Sequence, residues 1–270
     1  MKKLKLFVVC HKPTELPKGD VYVPFHVGRK LSLLKEQMKE YVGDDTGDNI
    51  SEKNPYYCEA TAIYWIWKNE HDAEYVGINH YRRRFVPDFT DDNIDLYFSD
   101  GTDALMVSNY FRFYTRWFTS LQYLQTEDLI IVNAAIIKLY PEYQITFNQF
   151  LRDYVDHPFN MVICKKELYN NYAKWLFDIC FEVEKYWKAS NYPNGKRALA
   201  YITELLTPIY FIHNHKKIKP IGVLVNNIPF KQTFINKILM HFFHNIVWHF
   251  TKNRPLFPRE ASFYSGLELP

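Results

Sequence analysis

The chain lacks every arrangement of cysteine that would hold a metal. Its four cysteines, Cys10, Cys58, Cys164 and Cys180, are widely spaced and none forms a Cys-x-x-Cys pair, so zinc is not expected. It also lacks a strong charge of either sign. A net charge of +3 over 270 residues argues against a nucleic-acid partner, which calls for a pronounced basic bias on one face. No apolar run approaches the roughly 18 residues that a membrane-crossing helix needs. Lys2, Lys3 and Lys5 precede only a short apolar stretch ending at Cys10, which reads as a first β-strand rather than a secretory leader. Together these absences predict a cytoplasmic protein with reduced thiols. Internal repeats and low-complexity linkers are missing too. The length suits one large domain or two small ones, either able to bury most of its apolar surface.

What the chain has in quantity is aromatic residues, 18% of the total with 21 Tyr and 21 Phe. Such rings stack on sugars, and they also fill cores. Strand and helix signals alternate along the sequence. Residues 6–10 form a continuous β-favouring run, as in a strand buried on both faces. Residues 21–27, 75–79, 104–108, 159–164 and 218–225 are the other strand candidates. Residues 44–54 are polar and read as a loop. Asn54-Pro55 reads as a helix start, with Asn capping free amides and Pro at the first helical position. A helix over 59–69 follows, with Ala60, Ile63, Tyr64 and Trp67 at helical spacing. Residues 129–139 carry a possible helix, 166–186 a long amphipathic one, and 197–206 another after the turn signal Pro193-Asn194-Gly195. This alternation predicts an α/β fold with a mixed, mostly parallel sheet flanked by helices.

One stretch stands out chemically. The strand candidate at 75–79 delivers His80, Tyr81, Arg82, Arg83 and Arg84 in immediate succession. Three adjacent guanidiniums are costly to bury unpaired, and an anion offsets that cost because the planar fork of Arg matches phosphate bidentately. His80 and Tyr81 add hydrogen-bonding groups. Ligands of open α/β sheets bind beyond the carboxyl ends of the strands, so the cluster is a candidate diphosphate or sugar-phosphate site. The alternative is a solvated strand end.

The tail differs in character. Residues 234–250 are apolar and aromatic, interrupted by Lys237, His241, His244, Asn245 and His249 at three- to four-residue spacing, which predicts a C-terminal amphipathic helix followed by Lys252 and Arg254. It suits an anionic membrane surface, or else packing on the domain or in a subunit interface. The chain is accordingly divided at residue 230, with a helical tail over 231–270.

The set Val8-Val9-Cys10-His11-Lys12, Asn54-Pro55-Tyr56-Tyr57-Cys58-Glu59, Tyr64-Trp65-Ile66-Trp67-Lys68-Asn69 and Gly77-Ile78-Asn79-His80-Tyr81-Arg82-Arg83 resembles one family. It is the family called domain of unknown function 4422, found among bacterial capsule and O-antigen glycosyltransferases. Phe159-Asn160-Met161-Val162-Ile163, the segment from Tyr172 through Ile179, and Arg197 with Tyr201-Ile202-Thr203-Glu204-Leu205-Leu206 resemble its later elements. The resemblance covers about residues 4–226.

The resemblance implies a GT-A-like, Rossmann-like domain that transfers a sugar from a nucleotide-sugar donor, with UDP-galactofuranose the donor of some relatives. It implies a UDP-sugar and a polysaccharide or lipid-linked oligosaccharide acceptor as partners, and a place at the inner face of the plasma membrane. GT-A folds usually hold Mn²⁺ or Mg²⁺ through an Asp-x-Asp motif at a strand end. Here Asp91-Asp92 and the group Asp44, Asp45 and Asp48 lie in polar stretches, and His80-Tyr81-Arg82-Arg83 occupies the counterpart position. The expectation is therefore metal independence, fixed cations neutralising the departing diphosphate, with a divalent cation as the alternative.

Roles follow from this reading. His11 and Lys12 lie beside the nucleotide, unless His11 is only a capped loop histidine. His80, Tyr81, Arg82 and Arg83 face the diphosphate, and Arg84 is left to solvent. Asn54 contacts the nucleotide or only caps its helix. Glu59 reaches a ribose or sugar hydroxyl, Asn160 and Met161 flank the donor sugar, and Arg197 joins the binding set. Glu204, amid apolar neighbours, is the candidate base of an inverting displacement. Its alternative is an ion pair with Arg197, about two helical turns away. Two further functions stay open: transfer of a different UDP-sugar such as a pyranose, and a non-catalytic nucleotide-sugar- or polysaccharide-binding module.

Overall fold

The structure, a computed structural model, describes residues 2–108, 110–111, 114–190, 196–231, 234–251 and 256–257. The expected turn at Pro193-Asn194-Gly195 and the tail cations Lys252 and Arg254 lie outside them. In chain order the strands are β1 (Lys2–Cys10), β2 (Tyr22–His26), β3 (Val42–Gly43), β4 (Ala73–His80), β5 (Arg83–Val86), β6 (Ala104–Val107), β7 (Tyr110–Phe111), β8 (Val155–Asp156), β9 (Val162–Lys165), β10 (Ile218–Val225) and β11 (Ile228–Phe230). The helices are α1 (Asn54–Tyr57), α2 (Ala60–Asn69), α3 (Ile94–Phe98), α4 (Arg116–Ser120), α5 (Thr126–Leu139), α6 (Gln144–Arg152), α7 (Lys166–Ser190), α8 (Ala198–His213) and α9 (Phe234–Thr251). The chain divides into two compact units. One comprises Met1–Ser108, Pro158–Lys174 and His215–Lys231, the other Asn109–His157, Trp175–Asn214 and Gln232–Pro270.

The first unit holds the large sheet, in the order β11-β10-β6-β9-β4-β1-β2-β3, with β5 paired to both β10 and β4. The fold is mixed α/β as expected, yet parallel pairing does not dominate. Among the described residues four ladders are parallel (β1–β2, β1–β4, β2–β3, β6–β10) and five are antiparallel. The cause is β5. This short return strand follows β4 after a two-residue turn and pairs on its other side with β10, so β4, β9, β6, β10 and β5 close into a ring of five strands. The sequence gives little warning of β5, because Arg83 and Arg84 occupy half of it.

Burial on both faces explains the apolar run of β1. Leu4, Leu6, Val8 and Cys10 pack into one core with Tyr22, Tyr75 and Ile163. Phe7 points the other way, its ring 5.5 Å from Phe25, which lies 5.2 Å from Trp65 of α2. Gly77 in β4 is required by close approach, since a Cβ there would stand 2.7 Å from the Val162 carbonyl oxygen of β9.

The second unit is mainly helical, with β7 and β8 as a small antiparallel ladder. Tyr143 packs its ring against Trp175, 4.8 Å away, and His213, 3.8 Å away. Buried Asn148 accepts the Leu256 and Phe257 amides at 2.5 and 2.9 Å. The tail helix α9 packs on this unit through one face. Buried Asp153 accepts His244 Nδ1 at 2.5 Å and Trp248 Nε1 at 2.6 Å. The opposite face leaves Ile235, Ile238, Phe242, Ile246 and Phe250 exposed. Among the described residues no helix is long and apolar enough to cross a membrane.

Candidate functional site

The candidate site of the first unit lies where β1 and β4 end. The two strands run parallel with Val9 opposite His80, so His11-Lys12 and Tyr81-Arg82 leave the sheet side by side. The Tyr81 amide donates to the Val9 carbonyl at 3.1 Å. Around the Tyr81 ring gather the His11 ring, 5.0 Å away edge-on, the Lys12 Nζ, 5.9 Å from the ring centre, and the Arg82 guanidinium carbon, 4.7 Å from it. His11, Lys12 and Arg82 are exposed. An aromatic face attracts cations through its quadrupole, and Tyr81 thereby holds positive groups that would otherwise repel one another. Four residues of the expected nucleotide set are thus brought together around one ring.

Arg83 turns away into β5 and lies over a different ring, its guanidinium carbon 4.4 Å from the centre of Phe159. The Arg82 carbonyl accepts the Asn226 amide at 2.8 Å, which ties the turn between β4 and β5 to the end of β10. Arg84 is not left to solvent. It pairs with Asp88 at 2.8 Å and is half-buried, because β5 pairing draws it toward Leu224.

His80, expected to face the diphosphate as a hydrogen-bonding group, is buried and uncharged. It is 9% exposed, and burial, followed by the neighbouring charge of Arg83, depresses its pKa to about 3 against a backbone hydrogen bond to Phe159. The ring is therefore a neutral imidazole at any ordinary pH. Its Nε2 is buried with no hydrogen-bond partner among the described residues.

The segment around Asn160 also departs from expectation. The strand begins only at Val162, and the residues before it form a tight turn with Phe159 at φ 79° and Asn160 at φ 53°. Two consecutive non-glycine residues in the left-handed region are strained. Asn160 is buried in this turn, and Met161 is part of the hydrophobic core of the sheet. Met161 is thus withdrawn from any donor sugar, since its side chain fills the core beneath the turn.

The polar loop after β3 is an organised scaffold. Its centre is Asp44, fully buried, whose carboxylate accepts the Gly28 amide at 2.7 Å, the Arg29 amide at 3.0 Å, Ser51 Oγ at 2.5 Å and Thr61 Oγ1 at 2.7 Å. Asn54 does not cap the amides of its helix. Its side-chain amide donates instead to the Cys58 carbonyl at 2.8 Å, and Gly28, at φ 64°, passes so close that a Cβ would stand 2.6 Å from Asn54 Oδ1. Asn54 therefore holds the chain where α1 breaks at Cys58, which has φ 46°. Glu59 is half-buried at the start of α2 and makes no side-chain cap there. Three more of the acids weighed as metal ligands are engaged as well. Asp45 faces Arg29 at 3.7 Å, Asp48 accepts Tyr64 Oη at 2.9 Å, and Asp91 accepts the Leu4 amide at 2.8 Å. Among the described residues no three His, Cys, Asp or Glu gather as a metal site would need.

Arg197 and Glu204 belong to the second unit. Arg197 precedes α8 at φ 69°, and its guanidinium carbon is 5.6 Å from the centre of the Tyr201 ring. Glu204 is half-buried in the helix between Thr203 and Leu205. Pro208, four residues on, cannot supply the usual helix hydrogen bond to its carbonyl. Phe159 is the site residue that sequence reasoning missed. Its role depends on a positive φ at a non-glycine residue, which has no sequence signature.

The model of the family described as domain of unknown function DUF4422 matches residues 5–216 of the chain. No match was found among curated proteins. Among solved structures, the bifunctional glycosyltransferase WbbM in its apo form is similar with a TM-score of 0.72 and 28% sequence identity, covering 84% of this chain and 46% of its own. The chain thus spans about half the length of that neighbour.

Proposed function

The chain belongs to the DUF4422 family, and from that premise we propose that it is a GT-A-like glycosyltransferase using a nucleotide-sugar donor. The observation that carries this reading is the gathering of His11, Lys12 and Arg82 around Tyr81, with Arg83 on Phe159, where two parallel strands end. The Lys12 ammonium and the two guanidiniums stabilise negative charge developing on a diphosphate leaving group. The likeness to WbbM, a bifunctional glycosyltransferase, supports it.

The finer reading is inverting transfer of galactofuranose from UDP-galactofuranose to a surface polysaccharide or lipid-linked acceptor, in the cytoplasm and without a metal ion. Glu204 is the proposed base, and the fixed cations take the place of a metal. The test is a panel of UDP- and GDP-sugars offered to the purified protein, with release of nucleoside diphosphate measured with acceptor, without it, and in excess EDTA. Release from one UDP-sugar that survives EDTA is expected. Binding without release for every donor would leave a nucleotide-sugar-binding module. Activity lost in EDTA and restored by Mn²⁺ would return the metal.

Peripheral docking on an anionic membrane belongs to the same proposal. The exposed stripe of Ile235, Ile238, Phe242, Ile246 and Phe250 supports it, as does a sequence with five Lys or Arg and no Asp or Glu from residue 231 to 259. Flotation with anionic vesicles checks it. Bound protein released by high salt is expected, and protein left at the bottom of the gradient would assign the stripe to a protein contact.

A further inference from the structure

The second unit carries a stacked pair of rings beside the candidate base, the outer of which is exposed. Tyr123, in the turn after α4, stacks on Tyr201 of α8 with ring centres 4.4 Å apart and planes inclined by 16°. The turn is fixed from below, because Leu124 is buried and both the Tyr123 and Leu124 amides donate to the Ser120 carbonyl. Tyr123 itself is 59% exposed. One of its faces is given to Tyr201, and the rest of the ring meets water. Tyr201 and Glu204, at i and i+3, share one face of α8, and Arg197, just before the helix, lies with its guanidinium carbon 5.6 Å from the centre of the Tyr201 ring. Two more exposed rings on the same chain segment, Tyr114 and Phe118, pack 4.9 Å apart.

We propose that Tyr123 and Tyr201, with Arg197 and Glu204, form a carbohydrate subsite that receives the acceptor sugar. Three features select this ligand class. The exposed outer ring of the stack, Tyr123, offers the kind of face against which the C–H side of a hexose ring packs. A guanidinium and a carboxylate together suit a neutral polyhydroxyl ligand, since Arg donates to hydroxyl oxygens and a carboxylate accepts from hydroxyl hydrogens. A phosphate would meet the charge of Glu204, and a cationic ligand that of Arg197. Arg197 also holds its position beside Tyr201 from a left-handed backbone conformation at φ 69°, of the kind that clusters at ligand-binding positions. The subsite gives the proposed base a reason for its place, because the hydroxyl to be deprotonated would belong to a sugar lying on Tyr123, which is stacked on the ring one helical turn before Glu204.

The assignment rests on the glycosyltransferase reading for the word acceptor, and the experiment separates the two. Saturation-transfer NMR is run on the intact protein with methyl hexosides of galactose, glucose and mannose as probes, for the unaltered chain, Tyr123→Ala and Tyr123→Trp. Melting curves confirm that each is folded. Saturation of the C–H face of at least one hexoside is expected for the unaltered chain and for Tyr123→Trp, and its loss for Tyr123→Ala. In the transfer assay Tyr123→Ala should raise the acceptor KM roughly three- to tenfold, the factor one ring contact carries. Hexoside binding that depends on Tyr123 in a protein that turns over no donor would keep the subsite and remove the transferase. Transfer with an unaltered acceptor KM, or equal hexoside signals with and without the Tyr123 ring, would overturn the subsite and leave the transferase standing.

Discussion

The guanidinium of Arg83 rests 4.4 Å from the ring centre of Phe159, and the backbone of Phe159 is held in turn by the buried imidazole of His80. The strained turn thus carries a platform for the second cation of the proposed donor site. Phe159→Leu should weaken UDP binding roughly two- to thirtyfold, since a cation on a ring is worth about 0.5–2 kcal/mol. Phe159→Trp should keep the affinity. Phe159→Gly separates platform from strain, because glycine accepts φ 79° without steric cost. It should lose UDP affinity as Leu does, with a melting temperature no lower than that of Phe159→Leu. Calorimetric titration and thermal melts supply both readouts.

His80 gives a pH dependence with a definite sign. Its folded pKa lies at about 3, below the ordinary value near 6.5. Between those values the unfolded chain binds the proton and the folded one does not, so stability rises with pH across this window. The contribution is fully present above pH about 6.5 and is lost on acidification towards 3, at up to about 1.4 kcal/mol per pH unit. Melting temperatures of the unaltered protein and His80→Gln should therefore converge as pH falls from 7 to 4.5. A constant gap between the curves would contradict a neutral buried imidazole.

Asp153 anchors the tail helix. Its carboxylate accepts His244 and Trp248 on one oxygen, and the Tyr154 and Val155 amides at 2.7 and 3.2 Å on the other. Asp153→Ala leaves all four without their acceptor, and a loss of about 2–4 kcal/mol is expected. Limited proteolysis should then cut within residues 234–251 sooner than in the unaltered protein. Unchanged cleavage there would mean that α9 is held by its apolar contacts alone.

Glu204→Gln tests the base. The amide keeps the size of the side chain but cannot take a proton, so turnover should fall roughly 10²–10⁴-fold while UDP affinity and melting temperature hold. Normal turnover in a folded variant would make Glu204 a structural residue of α8.

Much of this was legible in the sequence because it rests on local patterns. The apolar run of β1, the helical spacing of α2, and the succession His80 to Arg83 after a strand all appear where the residues place them. Residues 218–225 coincide with β10. What could not be read depends on distant partners. β5 is a strand because β10 is there to pair with it, and a run that begins with two arginines does not announce this. Met161 looked like a companion of Asn160 but points into the core, since a turn with two positive φ values separates their directions. Asn54 was read as a cap from its type and position, yet the amide finds the Cys58 carbonyl because α1 breaks after one turn. The burial that neutralises His80 is likewise a property of the closed ring of strands, which no local pattern records.

The most direct test of the account is the affinity of UDP for the unaltered protein against Arg82→Ala and Arg83→Ala, by calorimetric titration. Each guanidinium is assigned a charge-assisted contact to the diphosphate, so each variant should bind UDP more weakly by about 1.5–3 kcal/mol with an unchanged fold. Uridine, which has no phosphate, should bind the three proteins alike. Equal UDP affinity in all three would contradict the donor site and reduce the cluster to a solvated strand end.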